Sequence, residues 1–303
     1  MRHLHLLIHD AQGRPPAGAL AGMLARAAPP VDGAGLSALL CQVFGIARQQ
    51  DWPIAPYCAR AAGLPVGDDY WLRLDPVHLD VGMRGPFLHA GLTLAADEVA
   101  ALHTLVMPLL EDLGLGLHGT DAGGLYLRLP RPPRLATIAL DLADGRPPTH
   151  FLPRGEDAPT WTRLLNEMQM GLHEHPLNQA RLARGQLPVN SLWPWGGGRL
   201  AETVPQLDAV WSDIPLARDL ACALGVTLHP CPAGARDLLA SSQARGLAVL
   251  DAAQVEDRLE AAWLRPLLGA LRLGRLRAAR ITWLGEEAAD MRLGPLDAWR
   301  HWP

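Results

Sequence analysis

ARITWL at residues 279–284 is the last of four short runs of strand-forming residues that decide the fold class. The other three runs are LDAVW at 207–211, VTL at 226–228 and LAVL at 247–250. Helical patterns lie between them, at 215–224, 233–243 and 255–273. Alternation of strands and helices is typical of a layered α/β domain, because the connecting helices cover the faces of the sheet. The second half of the chain is therefore predicted to form an α/β lobe.

The first half of the chain mixes strands and helices with fewer crossover connections. The patterns predict a strand at Leu4–Ile8, a helix at Leu92–Leu113 that Pro108 kinks or interrupts, and strands at 115–118, 125–129 and 135–142. A loop rich in glycine and proline at 145–159 is the candidate boundary. We therefore predict the α/β class, with a mixed N-terminal α+β lobe at residues 1–150 and an α/β lobe at 151–303.

Composition and charge exclude several classes of protein. The chain has 303 residues, of which 49% are hydrophobic and 19% charged, which is typical of a globular protein. Its net charge of -4 provides no positive field for nucleic acid or an anionic membrane. All of its basic residues other than histidine are arginine. The absence of lysine excludes a Schiff-base lysine and the lysines of phosphate loops and protein kinases.

The cysteines and the N-terminal segment indicate a cellular compartment. Cys41, Cys58, Cys222 and Cys231 form no C-x-x-C pair, and their spacing suggests neither a disulfide framework nor a zinc site. The opening MRHLHLLIHDAQG becomes polar too early for a signal peptide, and no run of about 18 apolar residues is present. We expect a cytoplasmic protein that has no membrane partner.

Residues 164–198, LLNEMQMGLHEHPLNQARLARGQLPVNSLWPWGGG, are unusually rich in uncharged hydrogen-bonding groups, histidine and tryptophan. A segment that only packs in a core needs apolar periodicity and a turn, so this density of polar groups indicates a ligand site or an internal hydrogen-bond network. The predicted ligand-binding residues are His173, His175, Asn178, Arg181, Asn190, Trp195, Gly196, Gly197, Gly198 and Arg199.

The histidines and arginines of this segment each allow two interpretations. His173 and His175 bind one metal ion only if their backbone is extended, because residues two apart on a helix point about 200° apart. A capping role is the alternative, and no metal-binding residue is predicted. Arg181 is suited to a two-pronged contact with a carboxylate or phosphate, or to an ion pair with Glu174 or Glu167. If Arg181 contacts a ligand, its replacement by alanine costs little stability.

The end of the segment also has two interpretations. VNSLWPW at 189–195 is predicted to be extended, and three glycines follow it. Their backbone N–H groups can form a nest for an anion, to which Arg199 adds a charge. The alternative is a flexible turn whose tryptophans pack in the core. The ligand hypothesis requires the Asn178–Arg181 region and the glycines to share one cleft.

Several segments together resemble the RpfE-type regulatory proteins of proteobacteria, which are described as homologues of cofactor-independent phosphoglycerate mutase. The segments are HEHPLNQARLARGQLPVNSLWPWGGG at 173–198, YWLRLDPVHL at 70–79, LPRGEDAPTWTRLLNEMQM at 152–170, WLRPLLGALRLGRL at 263–276 and LDAWRHW at 296–302. One part of the chain also resembles a stretch of archaeal-type cofactor-independent mutases. The residues of this chain that match it are His175, Pro176, Asn178, Arg181, Gly185, Asn190, Trp195, Gly196 and Gly198.

The resemblance implies a relative of the alkaline-phosphatase-like superfamily. That superfamily implies two divalent metals, an aspartate-rich motif near the N-terminus, a serine nucleophile and later Asp and His ligands. Here the N-terminus offers only His9 and Asp10, and His229 and His301 are the histidines beyond Trp195. The chain therefore departs from the pattern that mutase activity requires.

The leading hypothesis is a regulatory protein that binds a small anionic or phosphorylated ligand, or a protein partner, without mutase turnover. It needs no cofactor and no nucleic acid. The second hypothesis is a metal-dependent phosphoglycerate mutase or phosphatase-like enzyme, for which a divalent metal would be required. The third is a structural interaction module whose polar segment forms an internal hydrogen-bond network. The oligomeric state is left open.

Overall fold

The computed structural model describes residues 2–16, 18–27, 35–82, 85–111, 113–120, 123–146, 153–285 and 288–299. Its strands are β1 (His3–His9), β2 (Tyr70–Gly82), β3 (Gly85–His89), β4 (Gly116–Gly119), β5 (Leu125–Leu129), β6 (Ser191–Gly198), β7 (Ala209–Ser212), β8 (Thr227–His229), β9 (Arg245–Asp251), β10 (Ala278–Leu284) and β11 (Ala289–Leu293). Its helices are α1 (Gly18–Leu24), α2 (Leu36–Phe44), α3 (Ile54–Ala61), α4 (Ala96–Glu111), α5 (Leu140–Ala143), α6 (Ala158–Leu172), α7 (Pro176–Ala183), α8 (Pro215–Ala223), α9 (Ala235–Leu239), α10 (Ala252–Val255) and α11 (Arg265–Arg272).

The chain divides into two compact units. Unit 1 combines Met1–Gly45 with Thr203–Pro303, and unit 2 is Ile46–Glu202. This division differs from the predicted one between residues 150 and 151. The physical reason is that β1 pairs in parallel with both β9 and β10, so the first strand belongs to the same sheet as strands near the other end of the chain.

Unit 1 contains a six-stranded sheet in the order β11-β10-β1-β9-β7-β8. The strands from β10 to β8 are parallel, and β11 is antiparallel to β10. Leu4, Leu6 and Ile8 of β1 pack in one core, while Leu7 on the opposite face is also fully buried. Burial of both faces is expected for a parallel sheet. The four strand runs predicted in the second half correspond to β7, β8, β9 and β10.

Unit 2 contains an antiparallel sheet. Its strand order is β3-β2-β5-β4, and β6 pairs with β2. Helices α4 and α6 contribute Leu102, Trp161 and Met168 to a core that also contains Leu127 of β5. The predicted α/β class, with parallel and antiparallel sheets in one chain, is confirmed.

Two local predictions in unit 2 can be compared with the structure: Pro108 does not interrupt its helix, and residues 135–142 are not a strand. Pro108 lies inside α4 without ending it, near the end of the helix, where proline removes a single N–H donor. Residues 135–142 do not form the predicted strand and contain only an isolated bridge at Ala136 and the start of α5. Asp51 holds this segment, because its carboxylate accepts hydrogen bonds from the N–H and hydroxyl of Thr137.

The helices within the described ranges are each too short or too polar to traverse a bilayer.

Candidate functional site

The two histidines of the polar segment lie in the turn between α6 and α7. α6 ends at Leu172, and α7 begins at Pro176, as proline favours the first position of a helix. His173 has a side chain that is 81% exposed. Nδ1 of His175 caps α7 by accepting the N–H of Leu177 at 3.2 Å. Within the described ranges, no three His, Cys, Asp or Glu side chains are grouped so that they could hold a metal ion.

The two asparagines of the segment bind backbone groups. Asn178 is buried, and its Nδ2 donates to the carbonyls of Leu172 at 3.0 Å and Val189 at 2.7 Å. Its Oδ1 accepts the N–H of Val189 at 2.8 Å. Asn190 exchanges two hydrogen bonds with the backbone of Leu79, at 2.7 and 2.8 Å. Both amides therefore join separate segments of unit 2.

Arg181 is the centre of a buried ion pair. Its Nη1 donates to Oε2 of Glu98 at 2.8 Å, and the two side chains are 3% and 6% exposed. Its Nε donates to the carbonyl of Leu187 and Nη1 also donates to that of Thr93. The second carboxylate oxygen of Glu98 accepts from Arg184 at 2.5 Å. Arg181 therefore forms a salt bridge, as one interpretation of the sequence predicted. Its partner is Glu98 of α4, and not Glu167 or Glu174.

The three glycines are buried residues of β6 and allow close packing. Gly196 has a φ of 69°, a conformation that favours glycine. A Cβ on Gly197 would clash with the hydroxyl of Tyr70, and one on Gly198 would clash with Pro53. The three glycines therefore do not form an exposed anion nest. Neighbouring residues fill the space beside their Cα atoms.

Trp195 contributes to a second buried charge cluster. Its indole N–H donates to the Asp75 carboxylate, which also accepts from Nε and Nη2 of Arg73 at 2.9 and 2.8 Å. The guanidinium lies 5.6 Å from the Trp195 ring and 5.5 Å from the Tyr126 ring. Burial opposes the charge of Arg73, but the adjacent Asp75 carboxylate outweighs it and raises the pKa of the guanidinium above its usual value.

The predicted binding residues lie on both sides of β6 and within it. Asn190 directly precedes β6, Trp195 and the three glycines form its second half, and Arg199 follows it. The backbone of Arg199 exchanges two hydrogen bonds with the side chain of Gln49, and its own side chain is exposed. Ligand binding by these residues, together or individually, stays a prediction.

In unit 1, Asp10 lies at the carboxyl ends of the parallel strands, where α/β proteins commonly bind ligands. Its side chain is buried and accepts the N–H groups of Gln12 and Arg14. Nε of Arg14 also donates to Asp10 at 3.2 Å, and its Nη1 donates to Glu256 at 2.6 Å. This aspartate does not fit the divalent metals implied by the resemblance, because three N–H donors, one of them on the Arg14 guanidinium, already surround its carboxylate.

At the amino ends of the same strands, a polar network surrounds the buried side chain of His5. Its Nε2 lies 2.8 Å from the hydroxyl of Thr282, which donates to Oδ1 of Asp290 at 2.7 Å. Because threonine has a single hydroxyl proton, the Nε2–H of His5 must be the donor to Thr282. Nε of Arg280 donates to the same Asp290 oxygen at 2.7 Å.

This network borders a basic cavity of about 380 Å³. The polar residues that line it are His3, His5, Gln206, Arg245, Arg280 and Arg292. Arg280 lies directly opposite Arg292 across β10 and β11, and next to His5 across β10 and β1. Side chains of directly paired residues lie on the same face of a sheet. The cavity therefore has a row of cationic or basic groups along one side.

Burial lowers the pKa of His5 to about 3, and the nearby charge of Arg280 acts in the same direction. Burial raises the pKa of Asp290, but hydrogen bonds from Arg280 and Thr282 outweigh it and hold that pKa below its usual value. The imidazole is therefore neutral in the folded protein at neutral pH, and the carboxylate is charged.

We expect His5 to make the protein less stable in mild acid. The unfolded chain binds a proton at this histidine below about pH 6.5, whereas the folded chain does not until about pH 3, so stability falls as the pH falls between these values. From about pH 7 to about pH 5, His5 should account for a loss of about 2 kcal/mol. Urea unfolding of the wild type and of His5→Gln at both pH values measures it. Equal losses in the two proteins would contradict this assignment.

The sequence does not indicate this basic row. Arg280 falls in a predicted strand, but no pattern in the sequence predicts β11, which contributes Arg292. The available signal is period-two alternation: Arg280 and Thr282 alternate with buried Ile281 and Trp283 in β10. That alternation shows which residues share a face, but not which strand lies beside them.

No protein-family model matches the chain. The sequence is 29% identical over 119 residues to a probable 2,3-bisphosphoglycerate-independent phosphoglycerate mutase of Geobacter sulfurreducens, covering 37% of this chain and 30% of that protein. It is 34% identical over 85 residues to such a mutase of Methanothrix thermoacetophila, covering 27% and 21%. A third mutase, from Methanosarcina acetivorans, is 26% identical over 113 residues, covering 35% and 28%.

Two solved structures are also similar. One is the PH0037 protein from Pyrococcus horikoshii, with a TM-score of 0.49, 16% identity and coverage of 97% of this chain and 87% of that one. The other is a cofactor-independent phosphoglycerate mutase from Thermoplasma acidophilum, with a TM-score of 0.42, 17% identity and coverage of 97% and 90%. The sequence matches span less than a third of the curated relatives' own lengths. The similarity to the 2,3-bisphosphoglycerate-independent phosphoglycerate mutases is therefore a distant one that covers part of their length.

Proposed function

We propose that this chain is a cytoplasmic regulatory protein of the RpfE type, which binds a small anionic or phosphorylated ligand without turning over phosphoglycerate. The observation that carries the proposal is the basic cavity of unit 1, with Arg280 opposite Arg292. Like charges directly opposite one another on neighbouring strands destabilise a sheet by up to about 1 kcal/mol. Asp290 offsets the charge of Arg280, and an anion beside Arg292 offsets the charge that stays uncompensated.

The charges around the cavity support an anionic ligand. Asp290 balances Arg280 at 2.7 Å, whereas no ion pair to Arg292 is formed within the described part of the chain. Arg245, on the other side of His5, donates to Gln206, a neutral partner. Arginine binds phosphate and carboxylate groups through two parallel hydrogen bonds. Arg245 and Arg292 are thus exposed residues at the border of the cavity, and neither forms an ion pair within the described ranges.

The arrangement around Asp10 supports binding without mutase turnover. In this chain, Arg14 neutralises the single aspartate of the N-terminal segment that could take the place of the aspartate-rich motif. The alternative is a metal-dependent mutase or phosphatase. Turnover of phosphoglycerate that depends on added manganese would establish that alternative and overturn the proposal.

The test is thermal and calorimetric titration with inorganic phosphate and with 3-phosphoglycerate. We expect saturable binding that weakens as salt is added, because the contact is between charges at a partly exposed site. Arg292→Gln should lower the affinity about tenfold, as expected for loss of one charge-assisted contact. The matched control is Arg236→Gln, which removes an exposed arginine of unit 1 that does not line the cavity. Equal affinity of both variants and the wild type would refute the cavity as the anion site.

A further inference from the structure

The basic cavity of unit 1 holds a hydrogen-bond acceptor beside its guanidinium groups. His5, which lines the cavity, is 9% exposed, and its Nε2–H donates to the hydroxyl of Thr282. A neutral imidazole carries its proton on one of its two nitrogens, so Nδ1 of His5 is unprotonated. The reverse arrangement is not available, because Thr282 donates its own proton to Asp290. Nδ1 can therefore only accept a hydrogen bond.

Nδ1 of His5 has no partner in the folded chain and is open to the cavity. Within the described ranges, Nε2 is the ring nitrogen of His5 that forms a hydrogen bond. The fully enclosed side-chain atoms that lack a partner there belong to Tyr70, Trp263 and Trp283, and Nδ1 is not among them. Nδ1 therefore keeps some accessible surface, and the open space that His5 borders is the basic cavity. A ligand in this cavity can supply the missing donor.

The charges around His5 attract an anion to this acceptor. Arg280 lies beside His5 on β10 and is paired with Asp290, and Arg292 lies opposite Arg280 on β11. Burial and the charge of Arg280 hold the pKa of His5 at about 3, so the imidazole stays neutral. An anion drawn to the two arginines thus meets a lone pair at Nδ1. An oxygen that lacks a proton is repelled by that lone pair, whereas an O–H group donates to it.

We propose that the ligand of this cavity is a phosphate group that still carries a proton, which it donates to Nδ1 of His5 while its charged oxygens accept from the guanidinium groups of Arg280 and Arg292. Inorganic phosphate keeps such a proton at neutral pH. A phosphate monoester loses its last proton at about pH 6, and sulfate has none. Free phosphate is therefore the ligand that fits the site. This assignment rests on the proposed function, because the ligand occupies the same cavity.

Calorimetric titration of the full chain at about pH 8 with phosphate, sulfate and methyl phosphate tests this assignment. At that pH all three anions are tetrahedral and doubly charged, and only inorganic phosphate carries a proton. We expect phosphate to bind at least about tenfold more tightly than the other two, equivalent to one hydrogen bond to a buried group. Equal affinities for phosphate and sulfate would overturn the assignment and leave the anion site intact. Binding of neither anion would overturn the proposed function as well.

The protonation of His5 can be observed directly, because ¹⁵N chemical shifts distinguish protonated from unprotonated imidazole nitrogens. His5→Phe identifies the His5 resonances of the ¹⁵N-labelled full chain by their loss. We expect an unprotonated Nδ1 in the free protein. Its resonance should shift saturably with phosphate and much less at the same concentration of sulfate. A protonated Nδ1 in the phosphate complex would mean that His5 is a donor to the ligand and would overturn the assignment.

Thr282 is a positioning residue for the imidazole, and Thr282→Val tests that role. Valine keeps the shape of the side chain and removes the acceptor of the Nε2–H, so the ring of His5 is free to carry its proton on Nδ1. We expect Thr282→Val to bind sulfate more tightly than the wild type does, with a phosphate-to-sulfate affinity ratio that approaches one. A general loss of structure would weaken the binding of both anions instead.

Thr227→Val is the matched control, because Thr227 is an exposed residue of β8 that does not line the cavity. It should keep the affinity ratio of the wild type. Thermal melts identify any variant that fails to fold, and in that case the wild-type ratio and the ¹⁵N shifts decide. The same ratio in a folded Thr282→Val and in the wild type would overturn the role of Nδ1.

Discussion

An Arg181→Ala variant should unfold with a free energy about 3–5 kcal/mol below that of the wild-type protein. The substitution leaves the Glu98 carboxylate buried without its main cation. It also removes the donors to the carbonyls of Leu187 and Thr93. A buried charge without its partner is one of the few features for which a single substitution has so large an effect. Urea unfolding at neutral pH measures the difference.

Arg184→Ala is the matched control for this prediction. Arg184 donates to the same carboxylate, but its side chain is 48% exposed, so solvent can replace most of the interaction. We expect it to cost at most about 1 kcal/mol. The alternative from the sequence was that Arg181 contacts a ligand and contributes little to stability. A small stability loss in Arg181→Ala, together with weaker anion binding, would restore that alternative.

An Asp75→Ala variant should lose about 3–5 kcal/mol as well. Asp75 is the acceptor for both the guanidinium of Arg73 and the indole N–H of Trp195, and all three side chains are largely buried. Its removal leaves one cation and one donor without a partner between the rings of Trp195 and Tyr126. The fluorescence of Trp195 should change together with stability, because the hydrogen bond to its ring nitrogen is lost.

The control for the second prediction is Asp69→Ala. Asp69 pairs with Arg128 at 3.4 Å, and both side chains are at least one-third exposed. Its loss should change the free energy of unfolding by less than about 1 kcal/mol. Asp75→Asn should fall between the two alanine variants, since it keeps an acceptor for Trp195 and removes the charge opposite Arg73. Similar losses in Asp69→Ala and Asp75→Ala would contradict the role of the buried cluster.

These buried clusters account for much of the polar character of residues 164–198. Asn178 donates to backbone carbonyls, and Arg181 donates to Glu98. The indole N–H of Trp195 donates to Asp75. The internal network that the sequence offered as its third hypothesis is thus present in unit 2. The basic cavity lies in unit 1, and none of the residues that line it belongs to residues 164–198.

The sequence by itself determined the features that depend on near neighbours along the chain. Runs of strand-forming residues with helical patterns between them predicted β7 to β10. The density of amide and aromatic side chains also indicated that residues 164–198 form hydrogen bonds beyond those of a plain core. These inferences succeed because backbone preferences and side-chain periodicity act over a few residues.

Only the tertiary structure decided which side chains meet. Arg181 pairs with a glutamate 83 positions away, and His5 bonds a threonine 277 positions away. β11 supplies the arginine that faces Arg280. The physical reason is that a short polar side chain takes whichever partner the packing of distant segments brings within about 3 Å, and local sequence preferences do not specify that packing.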